Sequence, residues 1–392
     1  MKLEHTRALI LRGALGAMRT TPVAAMGTLL GIGPLHLEVI AAAAMTAHRL
    51  RCERKWGNNV CQHTKFPKGV LSSRVLSMGQ DRMAAVRIWE RAFDMHFPGR
   101  EEWIGTRRSE LLNGDIWYTD GSKTSAGTGA GIYSRQNDVE ESIPLGEFAT
   151  VFQAEVVAIM RCAQTALSVG GVGRRIKICS DSQAAIKALG APIITSQLTL
   201  GCRQALELLA QDNKVTLVWV PGHSGIKGNE RADVLAKAGS ETEFLGPEPA
   251  LGVPFCLGRG AIRDWLRDEN LRYWKTETVS KCRQARALIG ELPRQDLAGS
   301  IVSLSRRDAR RAVQILTGHG TLKYHMHKLG VVDNPNCGLC GEEETSLHVL
   351  GQCPAHARLR LYLLGSAFLG PEQLRQLSIG DLLLFWKRAD YN

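Results

Sequence analysis

Four acidic side chains stand in settings that suit metal chemistry: Asp120 in YTDGS, Glu155 in FQAEVVAI, Asp181 in SDSQAA and Asp233 in GHSGIKGNERAD. Each alone has an ordinary role. Asp120 before Gly121 suits a turn. Asp181 before Ser182 suits a helix start. Glu155 suits the beginning of a helix, and Asp233 a solvated helix face. Gathered at one place, four carboxylates would repel one another unless cations lay between them. Hard divalent cations with oxygen ligands meet that need. Two such ions about 4 Å apart suit in-line displacement at phosphorus, one activating the attacking water and the other steadying the leaving oxygen. Nearer the C-terminus, CGLCGEEETSLHVLGQC places Cys337, Cys340, His348 and Cys353 at C-x2-C-x7-H-x4-C. That is a closed Cys3His set of the kind that holds structural Zn2+; the bland alternative is three unrelated thiols and a helix histidine.

Convergence of the acids depends on the elements that carry them. DIWYTDGS reads as a strand ending at Asp120, AGTGAGIYS as a second strand and VEESIPLG as a third, an antiparallel meander. TVFQAEVVAIMRCAQTAL reads as a helix with Thr150 as N-cap and Gln153 completing a capping box. RRIKICSD is a strand ending at Asp181. The helices SQAAIKAL and TSQLTLGCRQALELLAQ follow, then the strand KVTLVWV and the helix that carries Asp233. A crossover connection would make the strands ending at Asp120 and Asp181 parallel neighbours. Their carboxylates would then leave the sheet at the same edge, where sites of open α/β sheets form. The expected fold is a mixed sheet with flanking helices.

The four motifs resemble the acidic signature of type 1 ribonuclease H, across about residues 115–240. The resemblance implies a five-stranded mixed sheet and cleavage of the RNA strand of RNA/DNA hybrids with two Mg2+ ions, Mn2+ being possible in their place. It makes Asp120, Glu155, Asp181 and Asp233 the metal ligands. It gives His223, on the glycine-rich loop, a part in proton transfer or product release, against the alternative of an idle loop histidine. It has Asn229–Glu230 open the last helix and aim Asp233 inward. Gly121, Ser122, Gln183 and Asn229 match positions that meet the substrate, where a 2′-hydroxyl contact would mark the RNA strand; turn and cap roles stay open for Ser122 and Gln183. One departure stands out. Some relatives carry a basic helix and loop, whereas GAPIITSQLTLGCRQALELLAQDNK holds only Arg203 and Lys214.

Length and charge frame the rest. The 392 residues exceed one compact core, and the formal net charge of +11 points to an anionic partner, most often nucleic acid. Residues 1–114 carry +8, 115–240 carry 0, and 259–328 carry +8. The flanks are therefore expected to supply the grip on phosphates that the centre lacks. Residues 1–112 read as helical, 115–240 as the nuclease-like domain, 241–258 as a Pro- and Gly-rich linker, and 259–392 as a basic helical region with the Cys/His site. Trp265, Tyr273 and Trp274 read as core residues of that region. His319, His325, His327 and His356 read as surface or phosphate-facing residues. The ten cysteines, one close pair apart, are scattered, so a reducing, intracellular setting in nucleus or cytoplasm is expected, without secretion. Val23–Met45 is too interrupted by Gly31, Gly33 and Pro34 to read as a membrane span.

The flanks resemble the C-terminal part of a non-LTR retrotransposon polyprotein. TGHGTLKYHMHKLGVVDNPNCGLCGEEETSLHVLGQCPAHAR is similar to the terminal Cys/His region, and LRGALGAMRTTPVAAMGTLLGIGPLHLEVI to the segment after the polymerase core. That resemblance implies retrotransposon RNA and cDNA, and a polymerase module, as partners. No YxDD-type polymerase site is present, so DNA polymerisation is not expected. Two other readings remain: a nucleic-acid-binding protein with a dead nuclease, and a transposase- or integrase-like strand transferase on the same fold.

Overall fold

The computed structural model describes residues 2–53, 73–103, 111–276, 278–292, 294 and 296–391. The chain divides into two compact units, Ala44–Ile262 and Met1–Ala43 with Arg263–Asn392. The first unit is wider than residues 115–240. The segment expected as a linker is pinned to it, because Gln153 Nε2 donates to Gly252 O at 2.8 Å and Glu147 N to Glu248 Oε1 at 2.9 Å.

Ala44–Ile262 is built on a mixed sheet of six strands. In chain order the strands of this unit are β1 (Arg82–Arg87), β2 (Asp94–His96), β3 (Asp115–Lys123), β4 (Thr128–Ser134), β5 (Val139–Gly146), β6 (Arg175–Ser180), β7 (Ile193–Ser196) and β8 (Lys214–Trp219). The large sheet runs β2-β8-β6-β3-β4-β5. β3 pairs parallel with β6, from Asp115 beside Ile176 to Thr119 beside Ser180, and antiparallel with β4. β6 pairs parallel with β8. The α/β class and the meander stand as expected, but the strand count is six rather than five. The extra strand, β2, adds parallel to β8 and lies in a stretch read as helical. β1 and β7 form a separate antiparallel pair. These strands are three to six residues long. Too short to show an alternating pattern of their own, they form by docking on an existing partner.

The buried faces explain the layers. Trp117, Ile176, Ile178 and Leu217 are fully buried, packed with Ile159, Ile186 and Leu206 from the helices Val151–Val169, Gln183–Leu189 and Gln197–Leu209. Each such side chain contributes about 1.5–3 kcal/mol. Thr150 caps the first of these helices in a complete capping box with Gln153. The helix Lys227–Glu241 lies against β4 at a spacing only glycine allows. A Cβ on Gly129 would sit 2.2 Å from Ser240 N, and one on Gly131 2.3 Å from Ala232 O. This close seat fixes Asp233 over the sheet.

The second unit is helical among its described residues. The helix Arg306–Thr317 shows why: RRDARRAVQILT turns Ala309, Ala312, Val313, Ile315 and Leu316 inward and keeps its early arginines outward. Its core gathers Met26, Trp274, Ile301, Val313 and Phe385. Trp274 is buried and donates to Gly290 O at 2.9 Å. Among the described residues no helix is long and apolar enough to cross a membrane.

Candidate active site

The parallel pairing of β3 and β6 brings Asp120 and Asp181 out at the same edge. The capped helix Val151–Val169 sets Glu155 beside them, and Lys227–Glu241 adds Asp233. Seven of the expected site residues, Asp120, Gly121, Glu155, Asp181, His223, Asn229 and Asp233, line one pocket of about 230 Å3 together with Glu230. Ser122 and Gln183 lie outside that lining. Ser122 continues β3 opposite Gly129, and Gln183 begins its helix, exposed, with Lys187 Nζ donating to its Oε1 at 3.0 Å.

Asp120, Glu155 and Asp181 each offer an oxygen, all within 4.8 Å of one another. The electrostatics of this arrangement are unfavourable without a cation. Burial, then the Asp181 charge, raises the Asp120 carboxyl to about 8, and a hydrogen bond shared with Asp233 adds to the rise. Burial, then the charges of Asp120 and Asp181, pushes Glu155 well above the usual range. Asp181 is raised by burial too, while an Asn229 hydrogen bond and the nearby His223 pull the other way. Asn229 is buried and its Oδ1 has no partner, an acceptor held at the pocket wall. An all-oxygen donor set with uncompensated burial fits Mg2+ or Mn2+.

Local chemistry holds each carboxylate in place. The Gly121 N–H supports the carboxylates of Asp120 and Glu155. A Cβ at Gly121 would lie 2.7 Å from Glu155 N. The Trp219 indole donates to Asp181 O at 3.1 Å, tying β8 to the end of β6. His223 is exposed on its loop with φ of 51°, in the left-handed region, and Gly222 before it leaves room for Asp181 Oδ2. Asp233 stands outside the three-carboxylate group and is paired with Lys237 Nζ at 2.7 Å. The sequence reading missed Lys237, although its place four residues after Asp233 on a helix is the signal for such a pair.

The Cys/His residues converge as well: Cys337, Cys340, His348 and Cys353 offer donor atoms within 4.8 Å of one another. Cys340 Sγ lies 3.2 Å from His348 Nε2 and 3.8 Å from Cys353 Sγ. The knuckle closes through Gly341 N to Cys337 O at 2.9 Å, with Gly341 at φ of 87°. Burial raises the Cys337 thiol, but N–H groups of Leu339 and Cys340 outweigh it and the net direction is down. Burial lowers His348, keeping its ring neutral and able to ligate. The buried Arg360 braces the cluster, donating to Leu350 O at 2.7 Å and Cys353 O at 2.9 Å. A soft, closed donor set of this kind fits Zn2+. The neighbouring histidines differ from expectation. His325 and His356 are buried and His319 is half-buried, because the short helices around them pack into the core; His325 Nε2 sits 3.0 Å from Thr20 Oγ1.

The fold and the oxygen-lined pocket place a group of carboxylates able to hold a metal ion at the edge of a mixed sheet. The family model for RNase H matches residues 113–241, and this segment is an RNase H domain.

Proposed function

We propose that this protein is an endoribonuclease that hydrolyses the RNA strand of RNA/DNA hybrids. The observation that carries the reading is the group of three carboxylates, buried Asp120 and Glu155 and half-buried Asp181, with oxygens within 4.8 Å of one another inside the RNase H segment. With Asp233 they would hold two Mg2+ ions, or Mn2+. When bound, the ions supply charge for an in-line displacement at phosphorus and an activated water. The chain's own residues have distinct parts. Asn229 orients Asp181 and turns a free acceptor toward the pocket. Gly121 lets the substrate backbone and the Glu155 helix approach together. His223, exposed at the mouth, takes or gives the proton of the leaving group. Ser122 and Gln183 contact the hybrid outside the pocket.

Zn2+ in the Cys3His set has a structural part, because four protein donors leave no open position. We assign the flanks, 1–112 and 259–392, to a retrotransposon-derived protein that works on its RNA and cDNA, with a polymerase module as partner; the flanking sequence resemblance supports this. The test is cleavage of an end-labelled hybrid by the purified chain in Mg2+. Cutting confined to the RNA strand, and abolished by chelation, is expected. Equal cutting of single-stranded RNA, joining of DNA ends, or binding without cutting would each replace this reading.

A further inference from the structure

The carboxylates do not need β2 for their own placement, yet β2 reaches their edge of the sheet. It runs parallel to β8, with Met95 beside Leu217 and His96 beside Val218. β8, β6 and β3 are parallel in turn, so His96 and Phe97 emerge where Asp120 and Asp181 emerge. The helix Gln183–Leu189, starting two residues after Asp181, meets them there. Lys187 Nζ lies 5.7 Å above the Phe97 ring and 3.0 Å from Gln183 Oε1. Met95 closes against the end of this helix, its methyl 2.4 Å from where a Cβ on Gly190 would stand. Phe97, Gln183 and Lys187 are all exposed. Among the described residues no carboxylate pairs with Lys187. The result is a cation propped over an aromatic ring, beside a pocket whose domain carries no net charge.

We propose that Lys187, Phe97 and Gln183 form a ledge that receives one phosphodiester of the strand running out of the catalytic pocket. Lys187 neutralises the phosphate, Gln183 holds the ammonium in position, and the Phe97 face covers the adjacent sugar. The ledge takes the place of the basic helix that this domain lacks, and it rests on the hybrid-nuclease reading. Its test uses the full chain carrying Asp181→Asn, so that bound hybrid stays intact, with fluorescence anisotropy across a salt series. Lys187→Glu is expected to weaken binding about ten-fold and to reduce the slope of log affinity against log salt by roughly one. Lys187→Arg should keep both near the parent values, and Phe97→Ala should weaken binding without altering the slope. Hybrids bearing one uncharged methylphosphonate, scanned along the DNA strand and then the RNA strand, locate the phosphate. The parent should lose affinity at one position and Lys187→Ala should be indifferent to it. Unchanged affinity and slope in Lys187→Glu would overturn the ledge alone, provided the unaltered chain cuts hybrid. A chain that neither binds nor cuts hybrid overturns both.

Discussion

The two candidate metal clusters reach the same density of donor atoms by opposite routes. The carboxylates come from residues 120 to 181 and are set by strands and helices whose core lies elsewhere. The sulfurs and imidazole come from residues 337 to 353, on a knuckle and one irregular turn. The first site is imposed by a fold that stands without it and is held against electrostatic repulsion. The second is tied to its unit by Val349 and Leu350 in the core and by Arg360, so a metal bound there would add folding energy to a segment that otherwise holds only a short irregular turn. An open pocket lined by strained acids suits catalysis, and a closed thiolate cage suits architecture.

The largest effect expected from this contrast is at the Cys/His cluster. Stripping Zn2+, or replacing Cys340 with Ser, should cost on the order of 10 kcal/mol of local metal-linked stability. Hydrogen exchange should quicken across 337–353 while β3 and β6 stay protected. Protection that survived the loss of metal would break the contrast. Next comes Asp181→Asn, which should slow single-turnover cleavage of a hybrid by about 10²–10³-fold or more with the thermal midpoint kept or raised. A variant as fast as the parent would remove the pocket from the chemistry.

The pH response sharpens the same point. The Asp120 carboxyl titrates at about 8 in the fold against an ordinary 3.8. Between those values the folded domain keeps a proton that the unfolded chain has released. Stability in chelator should therefore fall as pH rises through that window. Asp120→Asn should flatten the fall, and Mg2+, which binds the deprotonated acids, should offset it. Thermal melts with EDTA and with Mg2+ across the window check both. A flat profile in EDTA would mean that the acids are not crowded as the structure has them.

How much of this the sequence carried follows from where information is local. Asp120 before Gly121, the Thr150–Gln153 box and the C-x2-C knuckle announce themselves over a few residues, and the structure places each in its element. β2 and β7 are not legible in the sequence because three or four residues do not establish a period, and only the edge of β8 or the presence of β1 makes them strands. The burial of His325 and His356 is not legible in the sequence, because a histidine in a short helix or turn carries no sign of what packs over it. Lys237 was legible by spacing but hidden by its solvated surroundings.

Lys237 also gives the smallest and finest test of the contrast. Its ammonium sits 2.7 Å from Asp233 Oδ2, a position where it would compete with a cation for the one acid outside the three-carboxylate group. The side chain is about half exposed, so water and salt screen the pair and the competition is weak. Lys237→Ala should therefore tighten Mg2+ binding by a few-fold at most, measured by calorimetric titration of the free protein, with the gain fading as salt rises. A large gain would mean that the ammonium occupies a metal position outright. No gain, or weaker binding, would mean that Lys237 orients Asp233 for the metal, and the open site would then share the closed one's dependence on fixed partners.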